Sequence, residues 1–340
     1  MGNYKKICLV FLFLLLGSYL YSQTANPKQY KYLFTVAKDG SGDFNNIQDA
    51  INAMRAYPLA PIKLYIKNGV YNEKIILPAE NTDVSFIGES VDKTIIVFSD
   101  YSGLGKLTTF TSYTAKISGN RFRAENITFQ NAAGPVGQAL ALYVDADKAV
   151  FKNCKFIGNQ DTIFLSGESA RQYFENCYIE GTTDFIFGPS TAIFKNCTIH
   201  CKANSYITAA NTTIGKKFGF VFIHCNISAD SNVTKVYLGR PWRAYAKTAF
   251  IQCNLPLQIV PAGWSNWNNP ENEKTVFYAE YNNAGKGSVT SHRVKWSHVL
   301  SDIEVKKYNE ENIFSTLNTT APEDKWYLIS ANEKTIFSYN

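Results

Sequence analysis

One phrase recurs along the chain at nearly fixed intervals. It reads FKNCKF (151–156), FENCYI (174–179), FKNCTI (194–199), FIHCNI (222–227) and FIQCNL (250–255), with an earlier cysteine-free copy, RAENITF (123–129). Each copy alternates apolar and variable positions, as a half-buried strand does. Successive cysteines lie 23, 20, 28 and 28 residues apart. A unit this short cannot bury its apolar face alone, so a fixed-phase repeat predicts a solenoid of stacked coils. It is too short for a strand–helix–strand crossover and carries no amphipathic helix. One coil of a parallel β-helix fits, two or three short strands joined by Asn- and Gly-rich bends. Equivalent residues then stack at the ~4.8 Å strand spacing.

In that arrangement Cys154, Cys177, Cys197, Cys225 and Cys253 form an interior ladder of small apolar side chains. The recurring Asn153, Asn176 and Asn196 fall near a bend. Free stacked thiols are expected, with a Cys197–Cys201 disulfide as the alternative. The composition agrees with a sheet protein: aromatics reach 14% and there are only two Met among 340 residues. NIQDAINAMRAY (46–57) is the clear helical stretch, with Ile47, Ala50, Ile51 and Met54 on one face. It is expected to cap the open end of the solenoid. From about residue 265 the repeat fades into a polar tail, expected to pack along the outside. The coils are thus placed at about 60–265 within a single domain, 23–340.

MGNYKK followed by the apolar run ICLVFLFLLLG (7–17) has the form of a signal peptide. Cleavage is expected near Ser22, giving an exported chain that is periplasmic, surface-bound or released. The run is short for a membrane span, so no stable anchor is expected after processing. Losing Lys5 and Lys6 lowers the formal charge from +6 to +4. That mild excess lacks the dense basic stripe of a nucleic-acid binder.

The chemistry-bearing residues hold the same phase as the repeat. Asp161, in GNQDTIF (158–164), follows Cys154 by seven residues, and Asp184, in TDFIFG (183–188), follows Cys177 by seven. Asp184 alone reads as a turn residue ahead of a buried strand. Paired with Asp161 on the next coil it reads otherwise. Two carboxylates one strand spacing apart repel, and one is pushed toward its neutral form. One charged and one protonated carboxyl supply a nucleophile or base together with a general acid. Gln138 lies one coil earlier in GPVGQALAL (134–142), and Gln160 adjoins Asp161. Arg240, in YLGRPWR (237–243), can hold a carboxylate ionised. Glutamine amides can donate to a developing oxyanion, and Trp242 offers a flat face to a sugar.

These motifs resemble the pectin methylesterases, a carbohydrate esterase family with a right-handed parallel β-helix. The carriers are GVYNEKI (69–75), GQALAL (137–142), GNQDTIF, TDFIFG and LGRPW (238–242). VAKDGSGDFNNIQDAI (36–51), AGWSNWN (262–268) and FYAEYNNAGKGS (277–288) flank them. The likeness runs from about residue 34 to 300. It departs at Ile163 and Phe164, where the family more often has Leu and Tyr. The resemblance implies Asp184 as nucleophile on the C6 methyl ester of a galacturonate, and Asp161 as acid and then base. It implies Gln138 and Gln160 as oxyanion donors and Arg240 as the holder of Asp184. Trp242, Phe187 and Gln138 are implied to line the substrate groove. The implied partner is pectin (homogalacturonan), acted on by a monomer without metal or organic cofactor.

Rival readings carry different signatures. A pectate lyase would need an acidic calcium cluster, and a polygalacturonase more clustered aspartates and a histidine. His200, His224, His292 and His298 lie outside the matched motifs. A non-catalytic carbohydrate-binding β-helix explains the repeat but not Asp161, Asp184 and Arg240 in phase. A related esterase acting on another ester keeps both fold and residues.

Overall fold

The computed structural model describes residues 30–315 and 325–328, so the expected signal segment, 1–22, lies outside the described residues. From Leu33 onward the chain winds into a parallel β-helix of three sheets. Sheet 1 has eleven strands and sheets 2 and 3 have seven each. All described strand pairs between consecutive coils are parallel, as in Phe151↔Phe174, Phe174↔Phe194, Phe194↔Phe222 and Phe222↔Phe250 on sheet 1.

Those five phenylalanines stack through the interior. Neighbouring ring centroids are 4.8, 4.8, 4.5 and 4.3 Å apart and the ring planes nearly parallel. The spacing is that of the strands themselves. Each pair contributes about 0.5–1.5 kcal/mol beyond the area it buries. The residue ahead of each ladder cysteine turns the chain out of sheet 1 in left-handed backbone: Asn153, Asn176, Asn196, His224 and Gln252, φ 50 to 54°. Asn tolerates that conformation at least cost, which is why it recurs in the phrase.

Among the described residues the six cysteines are free and buried, so Cys197 and Cys201 are unbonded. The ladder thiols donate to carbonyl oxygens one coil back: Cys177 to Phe151 at 3.4 Å, Cys197 to Phe174 at 3.6 Å, Cys225 to Phe194 at 3.3 Å. Burial pushes the Cys154 thiol up to about 12, which keeps it protonated and unreactive.

Two boundaries differ from the sequence reading. The helix is shorter, Ile47–Asn52, although Ile47, Ala50, Ile51 and Met54 are buried as expected. Asn46 makes no side-chain cap; the Glu73 carboxylate accepts from the Ile47 and Gln48 amides instead, at 2.9 and 3.0 Å. The helix ends at its C-cap Ala53, and farther on Tyr57 takes φ 49° ahead of Pro58 with its amide donating to the Glu80 oxygen, which excludes helix there. Sheet 1 also outruns the 60–265 repeat. It begins at Leu33–Val36 and continues through Phe277–Tyr281 to His298–Val299. Beyond it, short helices at Asp302–Val305 and Glu310–Phe314 follow. Phe314, Trp326 and Tyr327 pack on Tyr173, Ile193 and Val221 of sheet 1. Among the described residues no helix is long and apolar enough to cross a membrane.

Candidate active site

Sheet 3 positions the site. Its strands Ile163–Leu165 and Ile186–Gly188 pair as Ile163↔Ile186 and Phe164↔Phe187. Asp161 and Asp184, each two residues ahead, therefore occupy equivalent places on adjacent coils. Both are in left-handed backbone, φ 63° and 49°. Their amides bond along the coils, Asp161 to the Thr183 oxygen at 3.0 Å and Asp184 to the Tyr206 oxygen at 2.8 Å. This explains a poor strand former in an aromatic strand: the aspartate ends the bend. Gly188 closes the segment at φ 126°, and a Cβ there would sit 2.1 Å from the Leu165 oxygen. Only glycine fits so close a coil contact.

The two carboxylates are 8% and 5% exposed. Arg240 follows the strand Tyr237–Gly239, its amide bonded to the Thr208 oxygen at 2.9 Å. Its guanidinium grips Asp184 in a fork: Nε lies 3.0 Å from Oδ1, and Nη2 lies 2.7 Å from Oδ2. Burial pushes Asp184 above the usual carboxylate range, against the hydrogen bonds and charge of Arg240. Asp161 has no such fork. Burial first, and then the Asp184 charge, raise it to about 8, with Arg240 opposing from farther off. Arg240 thus favours the charged form at Asp184 more strongly than at Asp161.

An open cleft of about 200 Å³ lies over the pair. Every sequence-predicted site residue lines it: Asp184, Asp161, Gln160, Gln138, Arg240, Trp242 and Phe187. Gln138 and Gln160 meet in an isolated parallel bridge and are half-buried. Phe187 stacks on Phe164 at 4.6 Å and meets Trp242 edge-on at 5.7 Å. The departure at position 164 therefore leaves the aromatic wall intact.

Sequence reasoning missed three contributors. Phe110 lines the cleft from a short 3₁₀ helix, Thr109–Thr111, its ring centroid 6.4 Å from that of Trp242. Tyr206 and Trp267 lie over the Arg240 guanidinium, whose central carbon is 4.0 and 3.6 Å from their ring centroids. Tyr206 stands one further coil on from Asp184, 22 residues later, in the register Phe187↔Ala209, but nine residues after Cys197 rather than seven, outside the phase that marked the aspartates. Trp267 sits in AGWSNWN, but nothing local ties it to Arg240.

A parallel β-helix carrying a buried aspartate pair, one member clasped by arginine, under an aromatic cleft on one sheet defines a recognisable class of β-helix protein. The chain belongs to the pectinesterase family, whose model matches residues 33–316. It is similar to "Probable pectinesterase/pectinesterase inhibitor 23" of Arabidopsis thaliana, 40% identical over 288 residues, covering 81% of this chain and 50% of that protein. Among solved structures it is similar to a pectin methylesterase from carrot, with TM-score 0.79 and 35% identity over 83% of this chain and 92% of that one. It also resembles a pectin methylesterase in complex with hexasaccharide VII, with TM-score 0.73 and 28% identity over 85% and 98% of the two chains. The chain spans about half the length of the first curated relatives it matches.

Proposed function

We propose that the protein is an exported esterase that hydrolyses the C6 methyl esters of pectin to pectate and methanol. The observation that carries this reading is the asymmetric aspartate pair, Asp184 forked by Arg240 and Asp161 raised to about 8 beside it. The likeness to a pectin methylesterase holding a hexasaccharide supports an oligosaccharide in the cleft.

The Asp184 carboxylate attacks the ester carbonyl carbon. The carbonyl oxygen becomes an oxyanion that accepts from the Gln138 and Gln160 amides. As the tetrahedral intermediate collapses, Asp161 gives its proton to the departing methoxy oxygen, releasing methanol. The acyl-enzyme is a mixed anhydride between Asp184 and galacturonate. Asp161, now a carboxylate, takes a proton from water, whose oxygen attacks the galacturonate carbonyl. Collapse returns the Asp184 carboxylate, held by Arg240, and frees the galacturonate acid. Trp242 and Phe187 supply apolar faces for the sugar rings.

Methanol release from highly methylated pectin tests the proposal, with absorbance of unsaturated products measured beside it. Methanol without unsaturated product supports the esterase. Unsaturated product without methanol makes it a lyase, and release from a different ester alone moves it to a related esterase. Terminal sequencing of the exported protein, expected to start near Gln23, tests the export reading.

A further inference from the structure

The Arg240 guanidinium lies against two aromatic rings, Tyr206 and Trp267. A planar cation between two aromatic rings keeps its in-plane N–H groups free to donate while its faces are shielded from water. Here those in-plane groups are the ones that fork Asp184. Tyr206 approaches from the coil next to Asp184, accepting the Asp184 amide with its carbonyl and stacking on the Tyr237 ring at 5.1 Å. That second ring, in register one coil on, restrains Tyr206. Trp267 lies against the guanidinium from a loop in which it and Asn268 are left-handed, φ 61° and 54°. The loop is tied by Asn272 donating to the Asn266 oxygen at 3.1 Å, and by Asn266 donating to Glu273 at 2.7 Å.

We propose that Tyr206 and Trp267 are positioning residues that lock the Arg240 guanidinium edge-on to Asp184, and so keep Asp184 as the charged member of the pair. The proposal rests on the esterase reading for its kinetic consequence. A long arginine side chain free to change rotamer would have to be ordered at each turnover; the two rings order it on folding. The titratable and charged groups facing Asp184 are Arg240, Asp161 on the preceding coil, Tyr206, and Tyr278 from the sheet 1 strand. The Tyr278 hydroxyl is pushed well above its usual range by burial and then by the Asp184 charge, so it stays neutral. Trp267 also lines the cleft. Its loss is expected to change KM as well as kcat, whereas loss of the Tyr206 face should change kcat alone.

The test compares Tyr206→Leu with Tyr206→Phe. Leucine removes the aromatic face but keeps the wall apolar, so Asp184 stays desolvated. Phenylalanine keeps the face and removes only the hydroxyl. Tyr206→Leu should lower kcat about tenfold with KM within about twofold, and move the acid limb of the pH profile upward by about half a unit or more. Tyr206→Phe should stay within about twofold of wild type. A wild-type kcat and acid limb in the leucine variant overturns the proposal, as does a phenylalanine variant as impaired as the leucine one. Should Tyr206→Leu not fold, Trp267→Leu is read by its acid limb alone: an upward shift supports the proposal and an unmoved limb overturns it. Carbon-13 NMR titration of the Asp184 carboxyl gives the same reading without substrate. An upward shift in the leucine variant sustains the lock even if wild type releases no methanol, a result that would count against the esterase alone.

Discussion

Asp161 and Asp184 share a backbone conformation and a depth of burial, and a single arginine makes them different. In the proposed mechanism Asp184 attacks as the ionised carboxylate and Asp161 releases methanol as the protonated acid, so activity should rise as Asp184 loses its proton and fall as Asp161 loses its own, near pH 8. The two titrate as a coupled pair, and the apparent values belong to the dyad. Arg240→Gln should move the acid limb upward, because the burial that raises Asp184 is then unopposed; Asp161→Asn should remove the basic limb with most of the rate. Methanol release across pH checks both. Stability gives a second readout. The folded Asp161 pKa lies above its unfolded value, so its contribution is full below about pH 4 and is lost as pH rises through about 8. Asp161→Asn should therefore stabilise the fold by up to a few kcal/mol at pH 8 and change little at pH 4, as read by urea unfolding. The aspartate phase was legible because both residues keep one offset from a cysteine. Tyr206 lies nine residues after Cys197 rather than seven, and a tyrosine entering a strand has no chemical mark that separates it from packing.

Along each coil the Phe–x–x–Cys strand supplies a ring to one ladder and a thiol to the next, and the left-handed residue between them makes the bend. Replacing Cys197 by Ala removes packed volume and a bond to the Phe174 oxygen. It should cost on the order of 1 kcal/mol in urea unfolding while leaving methanol release unchanged. Mass spectrometry of the unreduced protein should show no bond among Cys154, Cys177, Cys225 and Cys253. The phrase was readable from sequence, and so was the sheet it builds. Past residue 265 the same sheet continues unannounced, for a definite reason. Glu280 takes the register place of Phe250, ending the phenylalanine ladder. Its carboxylate is met by Arg293, Nε to Oε1 at 2.7 Å, with the side chains 4% and 2% exposed. A buried charge in a strand carries none of the apolar alternation that marked earlier coils. Glu280→Gln leaves Arg293 buried without its counterion and should cost about 3–5 kcal/mol in urea unfolding. The helix was misjudged for a similar reason, since its first amides are capped by Glu73 and the chain beyond it is turned by the bond of Tyr57 to Glu80, partners distant in sequence.

Across the molecule, the repeat stacks coils from Leu33 to Val299 while the proposed catalytic residues occupy a few neighbouring coils of sheet 3. The ladders hold equivalent residues at strand spacing, and that spacing sets two carboxylates side by side where burial and one arginine can separate their charges. The solenoid is thus both scaffold and pKa-setting device. The rest of the long sheets keeps its interior for rings and thiols. Removing the proposed nucleophile tests this account most directly. Asp184→Asn is nearly isosteric and leaves the ladders untouched, so circular dichroism should match wild type. Methanol release from highly methylated pectin should fall by at least about a hundredfold. A folded Asp184→Asn protein that releases methanol at more than a few per cent of the wild-type rate would contradict the assignment of Asp184 as the attacking carboxylate.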